Sequence, residues 1–140
     1  MEMALLTAGL VLVVDQLTKA LVARRLALGQ SVRVGRFITI RHAVNTDSRQ
    51  TILGNRFALL FQLALALAVV LLVIKAGYFF QGQLAQAGLG AALGGAAGNL
   101  VDRFRHGAVF DFVDLGCWPV FNFADVAITI GAVTALWLLR

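Results

Sequence analysis

The chain has 140 residues, 60% of them hydrophobic and 14% charged, and a net charge of +5. Its mean hydropathy is +0.86, whereas soluble domains average about 45–50% apolar and about 25% charged residues. The composition therefore excludes an ordinary soluble domain and predicts a single integral membrane domain over residues 1–140. The positive charge suits contact with anionic membrane phospholipid. Because no basic patch is interleaved with aromatic residues, we expect no nucleic-acid partner.

Four apolar segments are each about as long as the roughly 20 residues that a helix needs to cross a bilayer. They predict transmembrane helices at about residues 3–22, 57–74, 84–101 and 121–139. In the third segment Gly90, Gly94 and Gly98 repeat at four-residue intervals. This spacing puts them on one helix face and predicts a closely packed neighbouring helix.

The stretch between the first two segments predicts a small β region at about residues 30–45. It alternates apolar and polar residues and is rich in β-branched side chains, which favours two short strands turning at Gly35 and Arg36. The polar sequence NTDSRQ, residues 45–50, follows. Because most basic residues lie in this loop, the preference of Lys and Arg for the cytoplasm predicts a cytoplasmic loop and, with four spans, external termini.

The chain has one cysteine, Cys117, beside Trp118. A single cysteine forms no internal disulfide, and no Cys/His cluster with metal-ligand spacing accompanies it. The sequence therefore predicts no metal site and no cofactor.

Five carboxylates lie in or beside apolar segments, and a charge in hydrocarbon costs at least a few kcal/mol, so such residues are seldom there for stability. Asp15 precedes Lys19 by four residues, which places both on one helix face and favours an ion pair. Asp102 adjoins Arg103 at the end of the third segment, where a salt bridge is the simplest interpretation. The other three are Asp111, Asp114 and Asp125.

Asp111 has no adjacent cation, and Asp114 would share its face if this piece formed a helical turn. Asp125 follows Asn122 by three residues in the first turn of the last segment, where Asn122 could also cap the helix. The turn containing Pro119 can bring Asp111 and Asp125 together. Two carboxylates that meet where water is scarce share one proton, which provides an acid and a base. A set of ion pairs, or a proton or cation pathway, stays open at this point.

Four motifs, in order and spacing, resemble those of the lipoprotein signal peptidase family, also called signal peptidase II. The first is D-Q-x-x-K, formed by Asp15, Gln16 and Lys19. The others are G-G-x-x-G-N-x-x-D-R at 94–103, G-x-V-x-D-F-x-D at 107–114 and P-x-F-N-x-A-D at 119–125.

The resemblance implies a membrane all-α fold of four transmembrane helices, a small β-sheet at the outer membrane surface, and both termini in the cytoplasm, opposite to the charge count. It implies a monomeric aspartic endopeptidase of the bacterial inner membrane, with its active site towards the periplasmic face. The implied substrate is a prolipoprotein that carries diacylglycerol on a cysteine, and cleavage occurs just before that cysteine. The implied catalytic pair is Asp111 and Asp125. The positions implied to shape the site or bind substrate are Asp15, Lys19, Asn45, Asn99, Asp102, Arg103 and Asn122.

The first loop departs from the family pattern, which is usually N-x-G-A-A-F. Here Asn45 is kept, but Asp47, Ser48, Arg49 and Gln50 follow in place of the glycine, the small residues and the phenylalanine. The departure predicts a different substrate preference. Two other function classes remain: a catalytically altered relative that binds lipidated peptides, and a small proton- or ion-conducting membrane protein.

Overall fold

The computed structural model describes residues 1–42 and 82–138. In chain order the elements are helix α1 (Glu2–Arg25), strands β1 (Ser31–Val34) and β2 (Ile38–Arg41), helix α2 (Gln83–His106), strand β3 (Val113–Asp114) and helix α3 (Phe123–Leu138). The predicted helix at about 57–74 and the predicted site residue Asn45 lie outside the described residues. The described part is mostly helical with a small antiparallel sheet.

Helix α2 packs between α1 and α3, and its glycines make the close approach possible. A Cβ on Gly90 or Gly94 would overlap the backbone of Ala4 or Ala8 of α1, and a Cβ on Gly95 would overlap the backbone of Ala124 of α3. The predicted packing role of the glycine stripe is confirmed for the face on α1. Because the contacts with α1 follow the same order along both helices, α1 and α2 run parallel. Gly88 lies against Thr134 and Gly95 against Ala124, so the order is reversed and α3 runs antiparallel to α2.

The surface of the helices is apolar while the interior contains polar groups. Exposed aliphatic side chains follow one face of α1, and α3 exposes Val133 and Trp137. Among the described residues, the buried polar side chains are Asp15, Lys19, Asn99, Asp102 and Asn122. Large exposed apolar surfaces are costly in water and suit contact with lipid.

Helix α1 is the one described helix that is both long and apolar enough to cross a membrane, with a mean hydropathy of 1.7 in its most apolar stretch. Its 24 residues rise about 36 Å, compared with a hydrocarbon core of about 30 Å. Helix α2 also has 24 residues, but glutamines, glycines and a charged last turn reduce its hydropathy. Helix α3 contains a shorter apolar stretch, Phe123–Thr134. Four membrane spans are therefore not established by the described residues.

The first two strands form the predicted hairpin, with Val32 opposite Ile40 and Val34 opposite Ile38. Gly35 takes a φ of 77° in the turn, a conformation that glycine adopts without steric cost. The prediction of two strands turning at Gly35 and Arg36 is confirmed.

The third strand, β3, was not predicted. Val113 and Asp114 pair with β2, so the segment that the sequence allowed as a helical turn is extended. Arg41 of β2 forms an ion pair with Asp114 at 2.7 Å across this pairing. The sheet therefore fixes the chain that leads from α2 to α3.

Candidate active site

The candidate active site lies where the carboxyl-terminal halves of α1 and α2 meet the amino terminus of α3. Asp15 and Lys19 come from α1, and Asn99 and Asp102 come from the last two turns of α2. Asp111 lies between α2 and β3, and Asn122 and Asp125 lie at the start of α3. The structure therefore brings seven of the nine predicted site residues together in one cluster.

Asp111 and Asp125 are joined through two asparagine side chains. Asn122 Nδ2 donates to Asp111 Oδ1 at 2.8 Å and to Asn99 Oδ1 at 3.0 Å. Asn99 Nδ2 in turn donates to Asp125 Oδ1 at 2.9 Å. Because amides carry no charge, this chain of hydrogen bonds holds the two acids near each other without neutralising either.

Asn122 and Asp125 also cap α3. The backbone N–H of Asp125 donates to Asn122 Oδ1 at 3.0 Å, and the backbone N–H of Asn122 donates to Asp125 Oδ2 at 3.2 Å. This reciprocal pair is a capping box built from Asn and Asp. The predicted cap is confirmed, and it gives Asp125 a fixed position beside the positive end of the helix dipole.

The environment of Asp111 favours its protonated form. Burial, and then the negative charge of Asp125, raises the pKa of Asp111 from 3.8 to about 7. The positive charge of Lys19 and the hydrogen bond from Asn122 oppose that rise. Near neutral pH this carboxyl can therefore hold a proton and give it away, as an acid catalyst must.

A second group of charges lies deeper in the cluster. Lys19 Nζ lies 2.8 Å from Asp15 Oδ2 and 2.6 Å from Asp102 Oδ2, and it also donates to Asn99 Oδ1 at 3.2 Å. The predicted ion pair of Asp15 with Lys19 is confirmed. The sequence did not reveal that Asp102 shares the same ammonium, because the two residues lie on different helices.

Arg103 and Asp114 are two further candidates among the described residues. Arg103 is half-buried in the last turn of α2, where its carbonyl accepts the N–H of Gly107 at 3.0 Å. Asp114 binds Arg41 and the N–H of Gly116, so its carboxylate belongs to the sheet. The sequence motifs assign no role to Gln16, yet its Nε2 donates to Asp102 Oδ1 at 3.0 Å. Its position next to Asp15 in the D-Q-x-x-K motif was the available signal.

The fold is that of bacterial membrane enzymes. A solved bacterial membrane enzyme is 28% identical to the chain, with a TM-score of 0.73 over 99% of this chain and 93% of the other. A second is 25% identical, with a TM-score of 0.69 over 99% of this chain and 88% of the other.

The sequence comparisons give the family. The model of the family described as signal peptidase (SPase) II matches residues 7–140. A lipoprotein signal peptidase of Moorella thermoacetica is 36% identical over 96% of this chain and 91% of its own length. Another, of Pelotomaculum thermopropionicum, is 37% identical over 94% of this chain and 87% of its own length. The chain belongs to the signal peptidase II family.

Proposed function

We propose that this protein is an aspartic endopeptidase of the bacterial inner membrane that removes signal peptides from diacylglyceryl-modified prolipoproteins. It cuts the peptide bond just before the lipidated cysteine. The observation that carries the proposal is the amide-linked pair of Asp111 and Asp125. Membership of a family of membrane signal peptidases supplies the substrate class.

In the proposed mechanism Asp111 is the acid and Asp125 is the base. Asp125 accepts N–H groups from Asn99 and from the backbone of Asn122, and these two hydrogen bonds hold its carboxylate in place. It takes a proton from a water molecule, and the resulting hydroxide attacks the scissile carbonyl carbon. Asp111 gives its proton to the carbonyl oxygen, so a neutral tetrahedral diol forms.

Collapse of the diol completes the reaction. Asp125 passes its proton to the amide nitrogen, the C–N bond breaks, and a diol hydroxyl returns a proton to Asp111. Water is consumed, one carboxylic acid and one amine are formed, and both aspartates regain their starting states. Neither a metal ion nor a covalent enzyme intermediate enters these steps.

We propose four membrane spans within one domain. Helices α1 and α2 run parallel, so the chain leaves α1 at the end of the bundle that carries the site and enters α2 at the opposite end. Residues 42 and 82, which flank the segment predicted to span at about 57–74, thus lie at opposite ends of the bundle. This placement of the two described residues supports the prediction of that span.

The site and the sheet lie at the same end of the bundle, where α1 and α2 end and α3 begins. We place this end at the outer face of the membrane and both termini in the cytoplasm, as the family resemblance implies. The sheet would then lie at the outer surface, close to the headgroups of the substrate and of membrane phospholipid.

A groove beside the sheet fits a lipid chain. Its volume is about 560 Å³, and it lies between the end of α1 and the hairpin. Its lining is six aliphatic side chains and one arginine: Leu21, Val22, Arg25, Leu26, Val32, Val34 and Ile40. An acyl chain would contact the aliphatic side chains and a phosphate would pair with Arg25. The proposed working unit is a monomer with phospholipid around it.

A cleavage assay tests the proposed function. The purified protein is incubated with a prolipoprotein that carries diacylglycerol on its cysteine and, as control, with the same precursor lacking the lipid. We expect the lipid-modified precursor alone to lose its signal peptide, seen as a mobility shift and as a new amino-terminal cysteine by mass spectrometry. Binding of the lipidated precursor without cleavage would instead identify a catalytically altered relative.

A further inference from the structure

Lys19 holds two buried carboxylates that come from different helices. Its ammonium lies 2.8 Å from Asp15 of α1 and 2.6 Å from Asp102 of α2, and all three side chains are at most 6% exposed. We call these three residues the Lys19 cluster. Two buried carboxylates would repel each other strongly, so removing the shared cation would leave an uncompensated buried charge.

Each carboxylate of the cluster also binds a backbone N–H next to a catalytic aspartate. Asp15 Oδ1 accepts the N–H of Ala124 at 3.0 Å, and Ala124 precedes Asp125. Asp102 Oδ2 accepts the N–H of Phe110 at 3.2 Å, and Phe110 precedes Asp111. These two hydrogen bonds fix the backbone immediately before the two catalytic residues.

Further contacts keep the two carboxylates of the cluster together. Gln16 Nε2 donates to Asp15 Oδ2 at 3.2 Å and to Asp102 Oδ1 at 3.0 Å. Gly98 of α2 lies directly against the Asp15 carboxylate, where a Cβ would overlap it. Any change in the distance between Asp15 and Asp102 must therefore move Ala124 relative to Phe110.

We propose that Lys19 is a positioning residue that sets the separation of Asp111 and Asp125 by drawing Asp15 and Asp102 onto one ammonium. The proposal rests on the proposed catalytic pair. It adds a structural cause for the spacing of that pair: the ammonium of Lys19, on α1, contacts Asp15, Asn99 and Asp102 and acts on the pair through them.

Lys19 also acts on Asp111 through its charge. The charged groups that act on Asp111 are Asp125 from α3, Lys19 from α1 and Asp102 from α2, and Asn122 adds a hydrogen bond. Lys19 opposes the rise in the pKa of Asp111, so loss of its charge raises that pKa further. If Asp111 is the acid, the alkaline limb of the kcat/KM profile must then move to higher pH.

The test compares Lys19→Gln with Arg24→Gln, an exposed position in the last turn of the same helix. For Lys19→Gln we expect kcat to fall about 10²-fold, because a displacement of the catalytic groups on the order of 1 Å lowers the rate by about that factor. We expect KM for the lipidated precursor to change by less than about twofold, because binding groups are untouched. The alkaline limb of the kcat/KM profile should move to higher pH. Arg24→Gln should match the wild type in kcat, in KM and in the position of this limb.

Hydrogen exchange gives a readout that does not depend on activity. The amides of Phe110 and Ala124 should exchange at least about tenfold faster in Lys19→Gln, while amides of the β1–β2 hairpin keep their wild-type rates. A purely global loss of stability would accelerate both regions together and would overturn the proposal.

A second variant covers the case in which Lys19→Gln does not fold. Lys19→Met combined with Asp102→Asn removes one positive and one negative charge, so the net charge of the cluster is unchanged. We expect a folded protein with the same loss of kcat. Wild-type kcat and slow exchange at both amides in this variant would overturn the positioning role. If the wild type itself did not cleave, the proposed function would fail instead, so the two failures are distinguishable.

Discussion

Asp111 and Asp125 are chemically identical side chains that the structure places in different surroundings. Asp111 lies in the segment between α2 and β3 and is largely removed from water. This burial raises its pKa to about 7. Asp125 stands in the first turn of α3 and receives N–H groups from the backbone of Asn122 and the side chain of Asn99. The difference in environment assigns the acid and base roles in the proposed mechanism.

The raised pKa of Asp111 predicts a pH-dependent stability. A carboxyl whose folded-state pKa lies above its unfolded value stabilises the fold below pH 3.8, and this contribution is lost as the pH rises to about 7. Asp111→Asn cannot ionise and keeps an oxygen that can accept from Asn122. We therefore expect the Asp111→Asn protein to be more stable than the wild type at pH 8, by at most roughly 1.4 kcal/mol for each pH unit by which the pKa of Asp111 is raised. Near pH 4 the two proteins should be equally stable.

Thermal unfolding in detergent at pH 4 and pH 8 measures this difference. Asp114→Asn is the matched control, because Asp114 gains stability from Arg41 and should lose some of it when neutralised. A wild-type melting temperature that is independent of pH in this range, or an Asp111→Asn protein that is less stable at pH 8, would contradict the account.

At the scale of elements, three of the apolar segments in the sequence correctly predict the positions of α1, α2 and α3. The ends were less accurate. The predicted end of the third segment at about residue 101 falls short of His106, because the last turn of α2 contains Arg103 and Arg105 and carries no apolar signal. The last helix begins at Phe123 instead of about 121, because Asn122 caps it from outside.

Non-local contacts explain what the sequence did not reveal. Strand β3 has two residues and exists because it pairs with β2, far away along the chain. The contact of Asp102 with Lys19 likewise joins α1 and α2 and has no local pattern. By contrast, the cap of α3 and the pair of Asp15 with Lys19 follow spacings of three and four residues, so they could be predicted.

The glycines of α2 give a prediction for helix packing. Gly94→Ala places a Cβ onto the backbone of Ala8, whereas a Cβ at Gly9 of α1 meets no atom of the described residues within 4 Å. Both changes gain about the same helix propensity, up to about 1 kcal/mol. We expect Gly94→Ala to destabilise by about 1–3 kcal/mol through overpacking and Gly9→Ala to be neutral or stabilising, as measured by thermal unfolding in detergent. Equal stability of the two variants would contradict the packing.

For the whole molecule, the polar interior and apolar exterior are suited to lipid, with the site at one end of the bundle. The proposed orientation rests on the family resemblance and is opposite to the one that the arginine-rich first loop alone would predict, which is a cytoplasmic loop. A loop that folds into a hairpin and pairs with β3 forms part of the structured site.

Reporter fusions test this orientation. Fluorescent protein, which is active in the cytoplasm, and alkaline phosphatase, which is active outside it, are fused separately to the carboxyl terminus and inserted at Gly35 in the hairpin turn. We expect fluorescence from the carboxyl terminus and phosphatase activity from the turn. The reverse pattern would place the site on the cytoplasmic side.

Single-turnover cleavage of a lipid-modified prolipoprotein tests whether Asp111 and Asp125 together carry out the reaction. Asp111→Asn and Asp125→Asn should each lower the rate by about 10²–10⁴-fold, with the folded, inserted protein retained. Asp114→Asn, which alters a carboxylate bound to Arg41 in the sheet, should stay within about tenfold of the wild type. Cleavage at the wild-type rate by either of the first two variants would contradict the account.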